Sequence, residues 1–423
     1  MMQSKLSKKQ LQILAFPNTN YDALICDGSI RAGKSSVMSV AFLFWAMRDF
    51  DKKNFAICSK TSITASRNVV KPLLSMRYIQ DRFDVQVRMM GNELIVKAFG
   101  HENYFYVYGG SDERSYTKIQ GITLAGVLLD EVAIMPRSFV EQAIARCSVD
   151  GRKLWFNCNP DSPMHWFYTE WIQKAEKHNA LHLHFSLDDN PALSEKIKAD
   201  YRSMYSGVFY ARYILGQWAM ADGLIYDMFD KDRHVVTNDS LELENDYYIS
   251  SDYGIQNATV FLLWRKEKYS PRWVCTREYY YSGRDNMRQK TVKELTDGLE
   301  AILPRYKDGA NTEHIIMPEQ VIVDPSATAL IVELRTRGYT VQKAKNEVLE
   351  GISDVSTMLY QDNLLFYERC KNTLEEFGTY SWDEKACQRG EDAPIKVNDH
   401  AMDAIRYFVK TKKLVRRNDY GGD

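Results

Sequence analysis

The chain has 423 residues, of which 45% are hydrophobic, and its 55 Lys and Arg nearly balance its 56 Asp and Glu, for a formal net charge of −1. The length predicts roughly two or three domains, and the charge balance excludes a nucleic-acid footprint over the whole surface, so any DNA contact must be a local groove. The seven cysteines include no Cys-x-x-Cys pair, no apolar run is long enough to span a bilayer, and the N-terminus lacks a signal-peptide core. These features predict a cytoplasmic protein with reduced thiols and no membrane association.

An amphipathic helix is predicted over residues 5–16, just before the first strand. A glutamine at this place contacts adenine in many motors that have a phosphate loop, and Gln10 or Gln12 could do so here. A solvated helix face explains the same pattern equally well.

A phosphate-binding loop follows at residues 28–35, which fit the pattern of Gly, four residues, then Gly-Lys-Ser. A strand-like run at 23–26 precedes it and an apolar helix-like run at 37–47 follows. That order aims backbone N–H groups and a helix N-terminus at one phosphate. The predicted ATP-binding residues of the loop are Gly28, Ser29, Ile30, Arg31, Ala32, Gly33, Lys34 and Ser35. Lys34 should reach the β- and γ-phosphates and the Ser35 hydroxyl should bind Mg²⁺; the alternative is a glycine turn that opens a buried helix.

Two acids end a buried apolar run at residues 126–129, about a hundred residues after the loop. Asp130 is predicted to hold Mg²⁺ through water, and Glu131 to polarise the attacking water. A buried strand followed by an acidic helix cap is the alternative. The next strand, 153–156, ends in Asn157 and Asn159, whose amides could sense the γ-phosphate and couple hydrolysis to movement, although an Asn-Pro turn explains them too.

Strand and helix signals alternate through this half, which predicts an α/β domain with a mostly parallel sheet and helices on both faces. His182 and His184 alternate along a further strand and are interpreted as structural, because a metal site needs more ligands. Helical patterns at 194–205 and 208–215 then predict a small helical connector.

Three acids stand out in the second half of the chain. One strand ends at Asp252, a hairpin and a helix follow, and a later strand ends at Asp324. A final helix, with Asn398 as its predicted cap, carries His400 and Asp403. Three carboxylates brought together can bind two divalent ions for phosphodiester cleavage, and His400 could ligate a metal or shuttle a proton. The alternative is two strand-end turns and a helix cap. A basic tail at 410–417 could touch DNA or a partner, or could be solvated.

The ordered set of motifs resembles the large terminase subunit of tailed bacteriophages. The matching segments are residues 28–35, 128–131, 157–160, 215–218, 251–254, 323–325 and 399–407. The phosphate loop is generic, but the last motif and the order of all seven are specific. The resemblance implies a phosphate-loop ATPase domain over 1–187, a helical linker or lid over 188–240 and a ribonuclease-H-like α/β nuclease domain over 241–423.

The resemblance also implies the activity and the partners. Such a subunit hydrolyses ATP to move double-stranded DNA into a procapsid and cuts concatemeric DNA. It works with a portal protein and a small terminase subunit, as a ring of several copies, in the cytoplasm of an infected or lysogenic bacterium. Arg31 matches a basic position near the γ-phosphate and is a candidate arginine finger, unless a neighbouring subunit supplies one from Arg114 or Arg146.

The resemblance further implies that Asp252, Asp324 and Asp403 bind Mg²⁺ or Mn²⁺ with His400 beside them. Two other functions stay open from the sequence. A helicase or repair ATPase would need a second motor core, which the residues after 240 do not suggest. A DNA-binding scaffold without nuclease activity would leave Lys34, Glu131 and the three acids without a role.

Overall fold

The computed structural model describes residues 6–88, 92–237, 241–254 and 257–415. Lys5 of the predicted first helix, and residues 416 and 417 of the predicted basic tail, lie outside the described residues. No helix in the described ranges is both long enough and apolar enough to cross a membrane.

The first half of the chain forms an eight-stranded sheet covered by helices. Its strands are β1 (Ala23–Gly28), β2 (Asn54–Ser59), β3 (Asp84–Arg88), β4 (Glu93–Ala98), β5 (His101–Gly109), β6 (Gly126–Asp130), β7 (Lys153–Asn157) and β8 (Ala180–Phe185). Its helices are α1 (Lys8–Ala15), α2 (Lys34–Asp49), α3 (Ser62–Ala65), α4 (Lys71–Ser75), α5 (Arg77–Gln80) and α6 (Arg137–Arg146). The strand order is β3-β4-β5-β2-β6-β7-β1-β8, and the strands from β5 to β8 in this order run parallel.

Apolar side chains alternate between the two faces of the central strands, which explains why both faces of this sheet are covered. On β7, Trp155 packs into the cluster that contains Phe42 of α2, whereas Leu154 and Phe156 pack into the opposite cluster with Phe139 of α6. Side chains of successive strand residues point to opposite faces, so one apolar strand serves two cores. Truncating one of these buried aromatic side chains to Ala would cost roughly 3–5 kcal/mol. The predicted mostly parallel α/β sheet is confirmed.

The helices α7 (Glu195–Ser203), α8 (Gly207–Tyr213) and α9 (Lys231–His234) connect the two halves. Tyr213 at the end of α8 accepts a hydrogen bond through its carbonyl from the N–H of Ile30, at 2.9 Å. Arg212 is buried and pairs with Asp161 at 2.9 Å and with Asp392 of the second half. The connector therefore contacts the phosphate loop and both halves of the chain.

The second half contains a seven-stranded mixed sheet. Its strands and those of a small hairpin are β9 (Val235–Val236), β10 (Leu243–Asp252), β11 (Ala258–Glu267), β12 (Trp273–Ser282), β13 (Arg305–Lys307), β14 (Glu313–Ile315), β15 (Gln320–Val323), β16 (Val341–Lys343) and β17 (Leu364–Tyr367). The helices are α10 (Val292–Ile302), α11 (Thr328–Thr336), α12 (Val348–Tyr360), α13 (Lys371–Phe377), α14 (Glu384–Gln388) and α15 (His400–Lys412). The sheet order is β16-β15-β10-β11-β12-β17-β9, and β13 pairs with β14 separately. Strand β9 lies inside the segment assigned to the linker, yet it pairs with β17 of this sheet.

Helix α15 packs across β10 and β11 of this sheet. Ala401, Ile405 and Phe408 of α15 are fully buried, and Phe408 stacks on Trp264 of β11 at 4.5 Å between ring centroids. This apolar face orients the helix, so the residues of its first turn lie at one end of the sheet. The predicted cap is wrong by one residue: Asn398 has a φ of 50°, and Asp399 occupies the N-cap position.

Candidate functional site

The phosphate loop lies between the carboxyl end of β1 and the N-terminus of α2. Gly28 has a φ of 121°, and a Cβ there would meet the Phe185 carbonyl oxygen at 1.9 Å, so only glycine fits. Lys34 is 5% exposed, and its ammonium donates to the carbonyls of Gly28 at 3.0 Å and Ser29 at 2.6 Å and to Asn159 Oδ1 at 3.1 Å. The loop therefore holds its lysine on its own carbonyls, next to the second of the two predicted coupling amides.

Ser35, Asp130 and Asn157 form a hydrogen-bonded triangle beside the loop. The Ser35 hydroxyl donates to Asp130 Oδ1 at 2.9 Å, and Asn157 Nδ2 donates to the same oxygen and to Ser35 Oγ at 2.7 Å. Asp130 and Asn157 end adjacent parallel strands in register, which explains why residues distant in sequence meet. Burial raises the pKa of Asp130, and the hydrogen bonds from Asn157 and Ser35 oppose that rise.

Glu131 follows directly in a left-handed conformation, with a φ of 60°. This backbone turns the chain sharply after β6. Burial, followed by repulsion from Asp130, raises the pKa of Glu131 to about 7. A carboxylate with a pKa near neutrality suits proton transfer at physiological pH.

The other residues predicted for this site are Arg31 of the loop and the two glutamines of the first helix. Arg31 has a φ of 56°, and its guanidinium lies 5.7 Å from the ring centroid of Tyr201 on α7. Gln10 is buried, and its side-chain amide lies 3.5 Å from the carbonyl oxygen of Ala32, whereas Gln12 is exposed. Of the two glutamines, only Gln10 contacts the loop.

The acids of the second half lie at one edge of the second sheet. Strands β10 and β15 are parallel neighbours that pair Ser251 with Val323, so Asp252 and Asp324 both follow at the same edge. Tyr407 of α15 donates to Asp324 Oδ2 at 2.9 Å. The pKa of Tyr407 is raised by burial and then by the charges of Asp403, Asp252 and Asp324. Tyr407 therefore bonds to one of the three predicted acids and is affected by the charges of the other two.

Each of these carboxylates has a donor within the protein. His400 Nδ1 lies 2.8 Å from Asp252 Oδ2. Burial lowers the pKa of His400, but this hydrogen bond and the charges of Asp252, Asp399 and Glu376 together raise it. Asp403 Oδ1 accepts from Arg406 at 2.8 Å, and its Oδ2 lies 3.3 Å from the Lys396 ammonium. Burial, with repulsion from Asp403, raises the pKa of Asp252 despite its bond to His400.

The carboxylates at this edge are suitable ligands for a divalent ion, although they are not arranged as a metal site. In the described part of the chain, no three Asp, Glu, His or Cys side chains form a group that could hold a metal ion as they stand. The oxygens of Asp252, Asp324 and Asp403 are nevertheless the hard ligands that Mg²⁺ and Mn²⁺ prefer. Metal binding would need these acids to exchange their present donors.

Residues 25–232 match a family model described as terminase large subunit, T4likevirus-type, N-terminal. A large terminase from a thermophilic bacteriophage is 48% identical in sequence, with 96% of this chain and 99% of that chain covered and a TM-score of 0.86. The chain belongs to the phage large terminase family. This membership confirms the resemblance drawn from the ordered motifs, and with it the class of DNA-packaging ATPase.

Two further structures of the same thermophilic-phage terminase contain nucleotides. The complex with ADP is 48% identical, covers 96% of this chain and 99% of that chain and has a TM-score of 0.85. The complex with ATP-γ-S is 47% identical, covers 96% of this chain and 98% of that chain and has a TM-score of 0.83. A search of curated protein sequences finds no match.

Two supporting groups of this terminase were missed by sequence reasoning. The first is Asp27 on β1, which is buried and lies 2.8 Å from His182 Nε2 and 3.1 Å from His184 Nδ1, while Trp218 Nε1 donates to it at 2.8 Å. These bonds connect the residue before the phosphate loop to β8 and to the connector. The alternating histidines were the available signal, but their shared partner lies on another strand.

The second is Glu376 of α13, which is buried beneath the start of α15. Its Oε2 accepts from the backbone N–H groups of Ala401 at 2.7 Å and Met402 at 3.2 Å, and its Oε1 accepts from Tyr280 at 2.9 Å. A carboxylate at this place satisfies the free N–H groups of the first turn and complements the helix dipole. Glu376 therefore holds in place the turn that carries His400 and Asp403.

Proposed function

We propose that this chain hydrolyses ATP at the edge of the first sheet, uses that energy to move double-stranded DNA, and cleaves DNA at the edge of the second sheet. The hydrogen bonds of Lys34 to Asn159, and those among Ser35, Asp130 and Asn157, carry the first part, because they join the phosphate loop to residues at the ends of β6 and β7. The parallel pairing that brings Asp252 and Asp324 to the same edge, and the hydrogen bond from Tyr407 of α15 to Asp324, support the second part.

The proposed roles at the ATP site follow from position and charge. Backbone N–H groups of residues 31–34 and the ammonium of Lys34 bind the phosphates, after Lys34 leaves the carbonyls that now hold it. Ser35 and Asp130 would hold Mg²⁺, which neutralises phosphate charge when bound. Glu131 accepts a proton from the attacking water.

Coupling and charge stabilisation involve the groups that surround the loop. Asn157 and Asn159 contact Ser35 and Lys34, so a change at the γ-phosphate would reach β7 through these amides. Arg31 would act as an arginine finger by moving from Tyr201 toward the phosphates.

At the second edge, Asp252, Asp324 and Asp403 would hold Mg²⁺ or Mn²⁺, which supplies an activated water and stabilises the leaving oxygen when bound. His400 orients Asp252 and can move a proton at its Nδ1. Tyr407 orients Asp324 through its hydroxyl. These residues come from β10, the end of β15 and α15, so the second site is independent of the phosphate loop.

The proposal also includes the domain boundaries and the partners. Residues 1–187 form the motor, 188–240 the linker and 241–423 a ribonuclease-H-like nuclease. The partners are a portal protein, a small terminase subunit and further copies of this chain in a ring, in the cytoplasm of the bacterial host.

Plasmid cleavage in Mn²⁺ without nucleotide tests the second site. We expect the wild type to cut and Asp324→Asn to lose cutting, while Asp246→Asn, an exposed acid on β10, cuts like the wild type. Equal cutting by Asp324→Asn and the wild type would refute the assignment.

DNA-stimulated phosphate release tests the first site in the same preparations. Lys34→Ala should abolish ATP hydrolysis and spare Mn²⁺-dependent cutting, and Asp324→Asn should do the reverse. Loss of both activities in both variants would contradict two independent sites.

A further inference from the structure

Lys396 brings a positive charge directly onto the acids of the second edge. Its ammonium lies 3.0 Å from Asp399 Oδ2 and 3.3 Å from Asp403 Oδ2. Asp399 is 4% exposed, and it precedes the first turn of α15. A single ammonium therefore neutralises two carboxylates beside the acids that are proposed to bind the metal.

The two cations on Asp403 differ in how firmly they are held. Arg406 is 2% exposed and also donates to the Asn346 carbonyl at 2.9 Å, so it is fixed within the core. The Lys396 side chain is 60% exposed and belongs to an irregular segment between α14 and α15. Of these two cations, Lys396 can leave Asp403 without disturbing the core.

A cavity next to Lys396 could accept its side chain. A small polar cavity beside it is lined by Arg284, Asp285, Asn398 and His400 together with Lys396 itself. Movement into this space would release Asp403 Oδ2 while the ammonium stays close to solvent. The exchange requires a side-chain rotation rather than a rearrangement of the sheet.

We propose that the Lys396 ammonium is an internal competitor of the metal: it neutralises Asp399 and Asp403 in the resting protein, and a divalent ion must displace it to bind. This inference rests on the proposed nuclease function. It accounts for one of the contacts that hold these acids apart from a metal, the ion pair at Asp403 Oδ2. Replacing Lys396 by a neutral residue removes both the competing bonds and the repulsion between ammonium and metal.

The test is Mn²⁺ binding to the full-length chain by titration calorimetry, without nucleotide or DNA. The binding that Asp252→Asn removes defines the site. Lys396→Met should tighten this binding at least about tenfold, equal to about 1.4 kcal/mol. Lys396→Arg, which keeps the charge, should stay within about threefold of the wild type. Lys266→Met, which removes a surface partner of Glu244 in the same sheet, is the matched control and should change nothing.

Thermal melting supplies a second readout that is independent of activity. In EDTA, Lys396→Met should melt below the wild type, because its acids lose their counter-charge, and Mn²⁺ should stabilise it more than the wild type. Unchanged or weaker Mn²⁺ affinity in Lys396→Met, with Asp252-dependent binding intact, would overturn the competitor role alone. Absence of Asp252-dependent Mn²⁺ binding in both proteins would instead refute the proposed metal site.

Discussion

At the edge of the first sheet, the polar residues bond to one another, whereas at the edge of the second sheet each acid bonds to a separate donor. Ser35, Asp130 and Asn157 share a closed set of hydrogen bonds. Asp252 and Asp324, by contrast, have different partners, His400 and Tyr407. The first site must exchange the internal contacts of one lysine for a phosphate, and the second must exchange several hydrogen-bond donors for metal ions.

This difference follows from how much of each site is local in sequence. Eight consecutive residues form the phosphate loop, and neighbouring strands supply the rest through in-register pairing. The second site needs a strand end, a loop and a helix turn from three distant segments. Its geometry therefore depends on supporting contacts such as Glu376, and variants that alter those contacts should affect the two sites differently.

The largest effect is expected at Glu131. Glu131→Gln should lower ATP hydrolysis about a hundredfold or more, because the amide cannot accept the proton of the attacking water. Metal-dependent cutting should be retained. Phosphate release measures the effect, and Glu141→Gln, an exposed glutamate on α6, is the control that should behave like the wild type. A fall of less than about threefold would remove Glu131 from the mechanism.

A second variant tests whether Glu376 supports the acids of the second sheet separately from the ATP site. Glu376→Ala should lower the free energy of unfolding by about 2–3 kcal/mol, since it leaves the N–H groups of Ala401 and Met402 without their acceptor. DNA cutting should fall with it. Glu376→Gln keeps an acceptor and should recover most of both, and the exposed Glu375→Ala should change stability by less than about 0.5 kcal/mol. Denaturant titration and DNA-cutting assays measure these effects. Equal effects of the two alanine variants would show that Glu376 does not support the first turn of α15.

The pH dependence of stability sharpens the comparison at Glu131. Its pKa of about 7 in the folded protein lies above the ordinary value of 4.5, so the folded state binds more protons between these values. The contribution of Glu131 to stability is therefore full below about pH 4.5 and is lost as pH rises through 7. Glu131→Gln should be more stable than the wild type at pH 8, by at most about 3 kcal/mol, and nearly equal to it at pH 5. A difference that does not vary between pH 5 and 8, measured by melting, would contradict the raised pKa.

The smallest expected effect concerns Tyr407. Tyr407→Phe removes the hydrogen bond to Asp324 and should reduce DNA cutting about fivefold, equal to about 1 kcal/mol, with ATP hydrolysis unchanged. Tyr360→Phe, at an exposed tyrosine on α12, should leave cutting intact. A matching loss in both variants would show that the phenol does not orient the acid.

Sequence reasoning correctly located the acids that lie at the ends of strands. A strand-like run that ends in an acid predicted Asp130, Asp252 and Asp324 at sheet edges, and the structure places them there. It failed at the start of α15, where Asn398 was the predicted cap. A left-handed Asn398 and the carboxylate of Glu376 from another helix decide that terminus, and neither is visible in the local pattern.

The sequence by itself determined the parallel sheet, the phosphate loop and the order of the acidic strand ends, because these depend on local periodicity and on residues close together in the chain. Only the tertiary structure decided which groups neutralise the buried charges. Asp27 meets His182 and Trp218 from other elements, and Arg212 of α8 meets Asp161 and Asp392. Such pairings depend on strand register and helix orientation, which the packing of the whole domain sets.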